Sequence, residues 1–166
     1  MEKIALAKNK GFALVNDEDF EKISKYKWHL FTERTRQYAA RSERPEKHLP
    51  SKTFFLHREI MGLKDLKVQV DHINHDGLDC RRENLRACTV SQNGMNRLIN
   101  KRKTSLFKGV VWNKARKKWR SQIKKDGKLL HLGSFESEVS AAKAYNEGAK
   151  KIFGEFAFFN QIGNLA

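Results

Sequence analysis

The fold is decided by residues 68–97, which read VQVDHINHDGLDCRRENLRACTVSQNGMNR. The β-type run Val68-Gln69-Val70 predicts a strand that ends at Asp71-His72, and Leu85 to Cys88 predicts a second short strand after a polar loop. Thr89 is a good N-cap residue, so we expect a helix from Val90 to Leu98. The predicted unit is strand, long loop, strand and helix, with its polar groups converging where the first strand meets the helix.

The polar residues of this stretch suit hydrolysis of a phosphodiester, which needs a deprotonated water and a cation to stabilise developing negative charge. Neutral His72 can accept a proton near physiological pH. The Asp71 carboxylate and an amide oxygen such as that of Asn93 are hard oxygen ligands suited to Mg²⁺. Adjacent strand residues point to opposite faces, so Asp71 and His72 can act together only if the strand ends or twists there.

The spacing of these residues resembles the HNH endonuclease family with its ββα-metal fold. Asp71-His72, Asn84 twelve residues after His72, and Asn93 nine residues later carry the resemblance, which covers about residues 53–98. It implies that His72 is the general base and that Asn84, the other catalytic position, holds the loop across the two strands. It also implies that Asp71 and Asn93 bind a divalent metal ion, Mg²⁺ or alternatively Mn²⁺. Asn93 replaces the last His of the family motif, a variant familiar in phage and intron homing endonucleases.

Other polar residues near this stretch have ordinary explanations. We interpret His75 and Asp76 as turn residues of the loop rather than ligands. We interpret His57 as a packing residue or a phosphate contact rather than a catalytic group. Cys80 and Cys88 match no zinc-binding spacing, which argues against both a zinc site and a disulfide scaffold.

The charge of the chain indicates nucleic acid as a partner. The 34 Lys and Arg residues exceed the 19 Asp and Glu residues, which gives a net charge of +15. Residues 101–128 hold 12 basic residues and one acid, Asp126, interleaved with Trp112 and Trp119. A disordered basic tail would not carry such aromatic residues, so we expect a folded domain that binds a polyanion. No apolar run is long enough to span a bilayer, and no membrane partner is expected.

The carboxyl-terminal third predicts a three-stranded antiparallel sheet packed on one helix. Alternating runs begin at Phe107, Lys118 and Leu129, and Asp126-Gly127 predicts a hairpin turn. Ser137 is expected to cap the helix and Gly154 to end it. Its inner stripe consists of Ala141, Tyr145, Gly148 and Ile152. One sheet face is then covered by the helix, and the other presents Lys, Arg and Trp to the major groove.

This segment resembles the Apetala-type (ethylene-response-factor) DNA-binding domain over about residues 105–160, through FKGV at 107–110, LGSF at 132–135 and AAKAY at 141–145. The resemblance implies major-groove binding by the sheet. Val111 and His131 depart from the plant pattern, so the plant sequence preference does not transfer. Core packing is the alternative role for both tryptophans. The candidate DNA-binding residues of the chain are Arg97, Lys101, Arg102, Lys103, Lys108, Trp112, Arg116, Lys118, Trp119, Arg120 and Gln122.

The amino-terminal region predicts a small β-rich lead-in. Ile4 to Leu6 and Phe12 to Val15 predict a hairpin, and Asn16 is expected to cap a short helix that runs to Lys25. The whole chain is therefore predicted to be α+β. Its expected parts are a lead-in at 1–52, a nuclease core at 53–98, a basic linker at 99–105 and a DNA-binding domain at 106–166.

The sequence thus predicts a site-specific, metal-dependent DNA endonuclease of the homing type, from a phage or mobile element. It is expected to act on double-stranded DNA in the cytoplasm of its host, as a monomer that nicks one strand, without a small-molecule cofactor. The main alternative is a sequence-specific DNA-binding regulator whose nuclease core is inactive. A repair or restriction nuclease is a weaker alternative.

Overall fold

A computed structural model describes residues 1–98 and 104–163 of the 166-residue chain. The chain divides into two compact units, Met1–Val90 and Ser91–Ala166. The described residues form short helices and four small antiparallel sheets, which confirms the predicted α+β class. None of the helices in these two ranges is both long and apolar enough to cross a membrane.

The first unit begins with the predicted hairpin, formed by β1 (Glu2–Ala5) and β2 (Phe12–Val15). Helix α1 (Asp17–Ile23) follows and ends two residues before the expected Lys25. The predicted capping role of the Asn16 side chain is wrong, because its amide makes no bond to the helix. Its Oδ1 instead accepts a hydrogen bond from the Arg82 backbone N–H at 2.7 Å. Asn16 therefore ties the hairpin to a distant part of the chain.

A second sheet supplies most of the remaining core of this unit. Strands β3 (His29–Glu33), β4 (Arg36–Glu43) and β5 (Lys52–Phe55) pair in sequence order, and helix α2 (Leu56–Met61) follows directly. Trp28 lies just before β3, fully buried, and its indole N–H donates to the Ile23 carbonyl at 2.9 Å. Most of the buried hydrophobic side chains of this unit form one cluster: Ile4, Leu6, Ala13, Val15, Ile23, Trp28, Ala39, Leu56, Ile60, Cys80 and Leu85.

The stretch that decided the sequence analysis forms the predicted strand, loop and strand. Strands β6 (Gln69–His72) and β7 (Leu85–Cys88) pair antiparallel, and Asp71 lies opposite Arg86. Helix α3 (Val90–Met95) follows, so it begins where expected and ends three residues before Leu98. Its first residue closes the first unit and the rest belongs to the second.

The amino-terminal hairpin and the nuclease segment share one unit rather than forming separate domains. The Leu14 N–H donates to the Leu78 carbonyl at 2.8 Å, and the Leu14 carbonyl accepts from the Cys80 N–H at 2.9 Å. The Arg82 guanidinium binds the Asp19 carboxylate through two hydrogen bonds of 2.6 and 2.8 Å. The loop between β6 and β7 is therefore built against the first twenty residues of the chain.

The second unit contains the predicted three-stranded sheet and the helix that follows it. Strands β8 (Val110–Asn113), β9 (Lys118–Lys125) and β10 (Lys128–Phe135) are antiparallel, and helix α4 (Glu138–Phe153) packs on them. Asp126 and Gly127 have φ of 49° and 79°, as a type I′ hairpin turn requires.

Both ends of α4 follow the sequence prediction. The Ser137 hydroxyl accepts from the Ser140 N–H at 3.0 Å, and Gly154 ends the helix with φ of 56°. The small residues on its inner side let the helix lie close to the sheet, because a Cβ at Gly148 would lie only 2.7 Å from Leu132 Cδ1. The fully or nearly fully buried residues of α4 are Ala141, Ala142, Tyr145 and Ala149.

The close approach of the loop to β4 generates a test of this fold. A Cβ at Gly77 would overlap the Gln37 carbonyl and lie 2.8 Å from the Tyr38 ring, so Gly77→Ala should lower the free energy of unfolding by about 2–3 kcal/mol. Gly94→Ala is the matched control, because a Cβ there meets nothing within 4 Å and alanine favours the helix. Urea denaturation measures both variants, and hydrogen exchange of peptides from the first unit locates the change. Equal stability of the two variants would contradict this packing.

Candidate active site

Asp71 and His72 end strand β6 and are both buried. The Asp71 Oδ2 atom accepts hydrogen bonds from Arg86 Nε at 2.9 Å and Arg86 Nη2 at 2.6 Å. This salt bridge was not predicted from the sequence. The signal was present in the antiparallel register, because opposite charges directly across two strands attract each other.

Aromatic rings surround the His72 imidazole. The His57 ring meets it edge-on, with centroids 5.0 Å apart and planes at 84°, and the Tyr38 ring lies 6.0 Å away. Burial lowers the pKa of His72 below its ordinary value of 6.5, against the opposite effect of Asp71, Asp76 and Asp79. The imidazole is therefore neutral at physiological pH, which is the form that accepts a proton.

The loop between β6 and β7 is closed by Asn84, whose side chain is buried. Its Oδ1 accepts from the Asn74 N–H at 2.9 Å, and its Nδ2 donates to the Asp79 carbonyl at 2.7 Å. Its own carbonyl accepts from the Ile73 N–H at 2.9 Å. One amide thus bridges both arms of the loop directly beyond His72, which is the arrangement that a loop-holding role requires.

Asparagine and aspartate side chains shape the rest of this loop. The Asn74 Oδ1 accepts from the Asp76 N–H and the Asp76 Oδ1 accepts from the Leu78 N–H, both at 2.9 Å. His75 has φ of 68° and its N–H donates to the His72 carbonyl at 3.0 Å. His75 and Asp76 therefore form turns, in agreement with their interpretation from the sequence.

A buried carboxylate at the far side of the loop was missed by sequence reasoning. Asp79 accepts bonds from Arg81 Nε at 2.8 Å and Arg81 Nη2 at 2.7 Å, and Asn74 Nδ2 donates to it at 2.8 Å. The hydrogen bonds from Arg81 hold the pKa of Asp79 below its usual value. Both acceptor oxygens are used in fixing the loop, which gives Asp79 a structural role.

Helix α2 supports the entrance to β6 through two neighbouring residues. Arg58 donates to three backbone carbonyls: Val68 and Asp65 at 2.7 Å and Leu63 at 3.2 Å. His57 is buried, and burial together with the charges of His72 and Arg58 lowers its pKa to about 3. His57 is therefore neutral and shielded, which agrees with packing and argues against a contact with phosphate.

The two candidate metal ligands, Asp71 and Asn93, belong to different units of the chain. Asp71 ends β6 in the first unit, and Asn93 lies on α3 within the second. Residues 1–98 and 104–163 contain no group of three or more His, Cys, Asp and Glu side chains that could hold a metal. By type, carboxylate and amide oxygens are ligands that Mg²⁺ accepts, since this ion is bound through one or two carboxylates and keeps several waters.

The outer face of the sheet, meaning the face away from α4, carries several of the candidate DNA-binding residues. Ser121 and Ile123 on β9 are buried towards the helix, so alternation places Arg120 and Gln122 on the outer face. A shallow cavity of about 280 Å³ opens on this face. Its lining residues are Asn113, Arg116, Arg120, Gln122, Leu129, His131 and Ser134.

The expectation that tryptophan stands on the outer face is wrong. Trp119 packs against Val110, Ala141 and Ala142 on the helix side of the sheet. Trp112 lies directly opposite Trp119 in the strand register, and their ring centroids are 5.1 Å apart. Trp119 therefore follows the alternative role that the sequence left open, which is core packing, and Trp112 lies beside it on the same side of the sheet.

Two of the expected lysine contacts are engaged within the second unit. The Lys108 Nζ donates to the carbonyls of Met95 at 2.5 Å and Arg97 at 2.8 Å, and so binds the carboxyl end of α3. The Lys118 Nζ pairs with Glu136 at 2.9 Å in an exposed salt bridge. Arg97 follows α3, and Lys101, Arg102 and Lys103 lie outside the described residues.

Comparison with known proteins gives a match to one family and to two viral proteins. Residues 63–95 match the family described as HNH endonuclease. An uncharacterized HNH endonuclease of Acanthamoeba polyphaga mimivirus is 32% identical over 163 residues, which cover 95% of this chain and 79% of that protein. Protein 3.8 of Escherichia phage T7 is 31% identical over 90 residues, or 54% of this chain and 74% of that protein. No solved structure gives a significant match.

Proposed function

The chain belongs to the HNH endonuclease family and is a nuclease that acts on DNA, and we propose that it is a site-specific, metal-dependent endonuclease of the homing type. The observation that carries the proposal is His72, a neutral buried imidazole directly before a loop that Asn84 closes. Both relatives come from viruses, which supports a phage or another mobile element as the source.

In the proposed reaction His72 accepts a proton from the attacking water, and burial keeps the imidazole in the neutral form that can accept it. Asn84 fixes the backbone on either side of the loop, and so limits how far His72 can move. Asp71, held in place by Arg86, and Asn93 would hold the divalent ion that members of this family generally use. Such an ion stabilises the charge that develops on the phosphate and the leaving oxygen.

We further propose that the second unit is an Apetala-type anchor that places its outer face in the major groove. Arg116 and Arg120 supply positive charge there, and Gln122 lies between them and His131 on the same face. Within the described residues, Gln122 Oε1 and Arg120 Nε are buried without a hydrogen-bond partner. The amino group of an adenine could donate to Gln122 Oε1, and a phosphate oxygen or a guanine acceptor could accept from the Arg120 N–H, because glutamine pairs with adenine and arginine with guanine or phosphate.

Cleavage of plasmid and phage genomic DNA tests the activity directly. With Mg²⁺ we expect supercoiled plasmid to become nicked circles before linear DNA appears, because the chain carries one Asp71, His72 and Asn93 set. A chelator should abolish the reaction, and mapping the ends should give a long, specific site. Concerted double-strand cutting at dilute enzyme would contradict action as a monomer. No metal-dependent cleavage of any DNA would favour the alternative of a DNA-binding regulator.

Replacement of the general base tests the catalytic assignment. His72→Ala should lower the cleavage rate by about 10²–10⁴-fold, as expected for the loss of a general base, while DNA affinity changes little. His48→Ala is the matched control, because His48 is an exposed histidine in the loop between β4 and β5. Single-turnover cleavage and equilibrium binding measure both variants. A His72→Ala protein that cleaves at the wild-type rate would overturn the assignment.

The salt dependence of binding tests the outer face. Each phosphate neutralised contributes about 0.9 to the slope of log affinity against log salt, so Arg116→Ala with Arg120→Ala should reduce the slope by about 1–2. Lys108→Met is the control. It also removes one positive charge, but that charge is already bound by the carbonyls at the end of α3. It should leave the slope nearly unchanged while lowering stability. An unchanged slope in the double variant would exclude the outer face as the DNA-binding surface.

A further inference from the structure

His57 is a buried histidine to which the proposed reaction assigns no step. It is the second residue of α2 and is 8% exposed. Among residues 1–98 and 104–163 its Nδ1 finds no hydrogen-bond partner. A buried polar nitrogen that is left unpaired destabilises the fold, so the position must gain something from the ring itself. What the ring contacts is therefore the informative feature.

The His57 ring contacts three neighbouring rings, namely those of Phe55, Tyr38 and His72. The Phe55 ring stacks on it, with centroids 5.6 Å apart and planes at 18°, and the Tyr38 ring lies 5.6 Å away. Phe31 in turn meets Phe55 edge-on at 5.2 Å. These four rings, which we call the aromatic cluster, come from β3, β4, β5 and α2. They form a continuous support that ends at the edge of the His72 imidazole.

A histidine side chain needs such support to present one nitrogen in a defined direction. Rotation of an imidazole about its bond to Cβ has broad, roughly two-fold preferences, so a rotamer alone does not fix the plane of the ring. An edge-to-face contact does restrict that plane, because the positive ring edge prefers the negative ring face. The His57 and His72 planes meet at 84°, which is close to this arrangement.

We propose that His57 is a positioning residue that fixes the plane of the His72 imidazole through edge-to-face contact, and so orients the general base towards its water. The inference rests on the proposed role of His72. It gives the first 55 residues a function in the reaction, because they supply the three other rings of the aromatic cluster. It requires the aromatic ring at position 57 and not its nitrogen atoms.

Substitutions at position 57 can show whether an aromatic ring is enough or whether an imidazole is needed. His57→Phe keeps the ring, whereas His57→Leu and His57→Met fill similar space without one. Phe54→Leu is the control for loss of a ring in this unit, because the Phe54 ring packs on the Arg41 guanidinium at 4.3 Å instead. We expect His57→Leu and His57→Met to lower kcat about tenfold with DNA affinity within twofold of wild type. His57→Phe and Phe54→Leu should keep kcat near the wild-type value.

A second measurement is independent of cleavage. The chain has six histidines, so the imidazole signals of ¹³C-labelled protein can be resolved and assigned by substitution. The His72 ring signals should stay narrow in His57→Phe and should broaden in His57→Leu and His57→Met, because the imidazole then loses the contact that fixes its plane. His57→Met keeps the test open if His57→Leu does not fold.

The outcomes separate the two proposals. Wild-type kcat and narrow His72 signals in the variants without a ring would overturn the positioning role. An equal loss of kcat in His57→Phe would also overturn it, since the imidazole rather than the ring would then be needed. If the wild-type protein cleaves no DNA, the proposed function fails, while the His72 signals still decide whether His57 fixes the ring.

Discussion

The two hydrogen bonds of the Asn84 amide are the constraint on which the rest of the first unit depends. They join Asn74, just beyond the end of β6, to Asp79 on the return arm, and so fix a loop that has little regular structure. Around this bridge the loop satisfies its own backbone through Asn74, Asp76 and Asp79. Buried backbone groups must be paired, and here short polar side chains supply the partners that a sheet or helix would otherwise supply.

The elements around the site were predictable because they depend on local chemistry. The β6 and β7 runs, the start of α3, the Asp126-Gly127 turn and the Ser137 cap each follow from a few adjacent residues. The partners of Asp71 and Asp79 were not predicted, because they depend on strand register and on side chains that meet only after folding. The aromatic cluster was missed for the same reason. Its members are separated by up to 26 residues, from Phe31 to His57, and show no period in the sequence.

The carboxyl-terminal sheet shows that amino-acid composition does not predict which face of a sheet a side chain occupies. A basic stretch containing tryptophan suggests that the aromatic and charged side chains share a surface. The register instead puts Trp112 and Trp119 opposite each other on the helix side, whereas Arg120 lies on the outer face. Successive residues of a strand point to opposite faces, so a shift of one residue changes the face, and composition carries no information about the register. Lys108 illustrates the same limit, because an isolated charge in the sequence does not reveal that two carbonyls already bind it.

The pairing of Leu14 with the active-site loop has a consequence for the order of events during synthesis. The hydrogen bond from the Arg82 N–H to the Asn16 side chain joins residues 66 positions apart. The two ends of this segment must therefore come together before the hydrogen bond can form. Closing so long a segment of chain costs more conformational entropy than closing a local hairpin, and such long-range contacts slow folding. The hairpin leaves the ribosome before the loop between β6 and β7. The loop between β6 and β7 can pack against the hairpin only after residue 84 has emerged. His72 is therefore synthesised some time before the contacts that surround it can form.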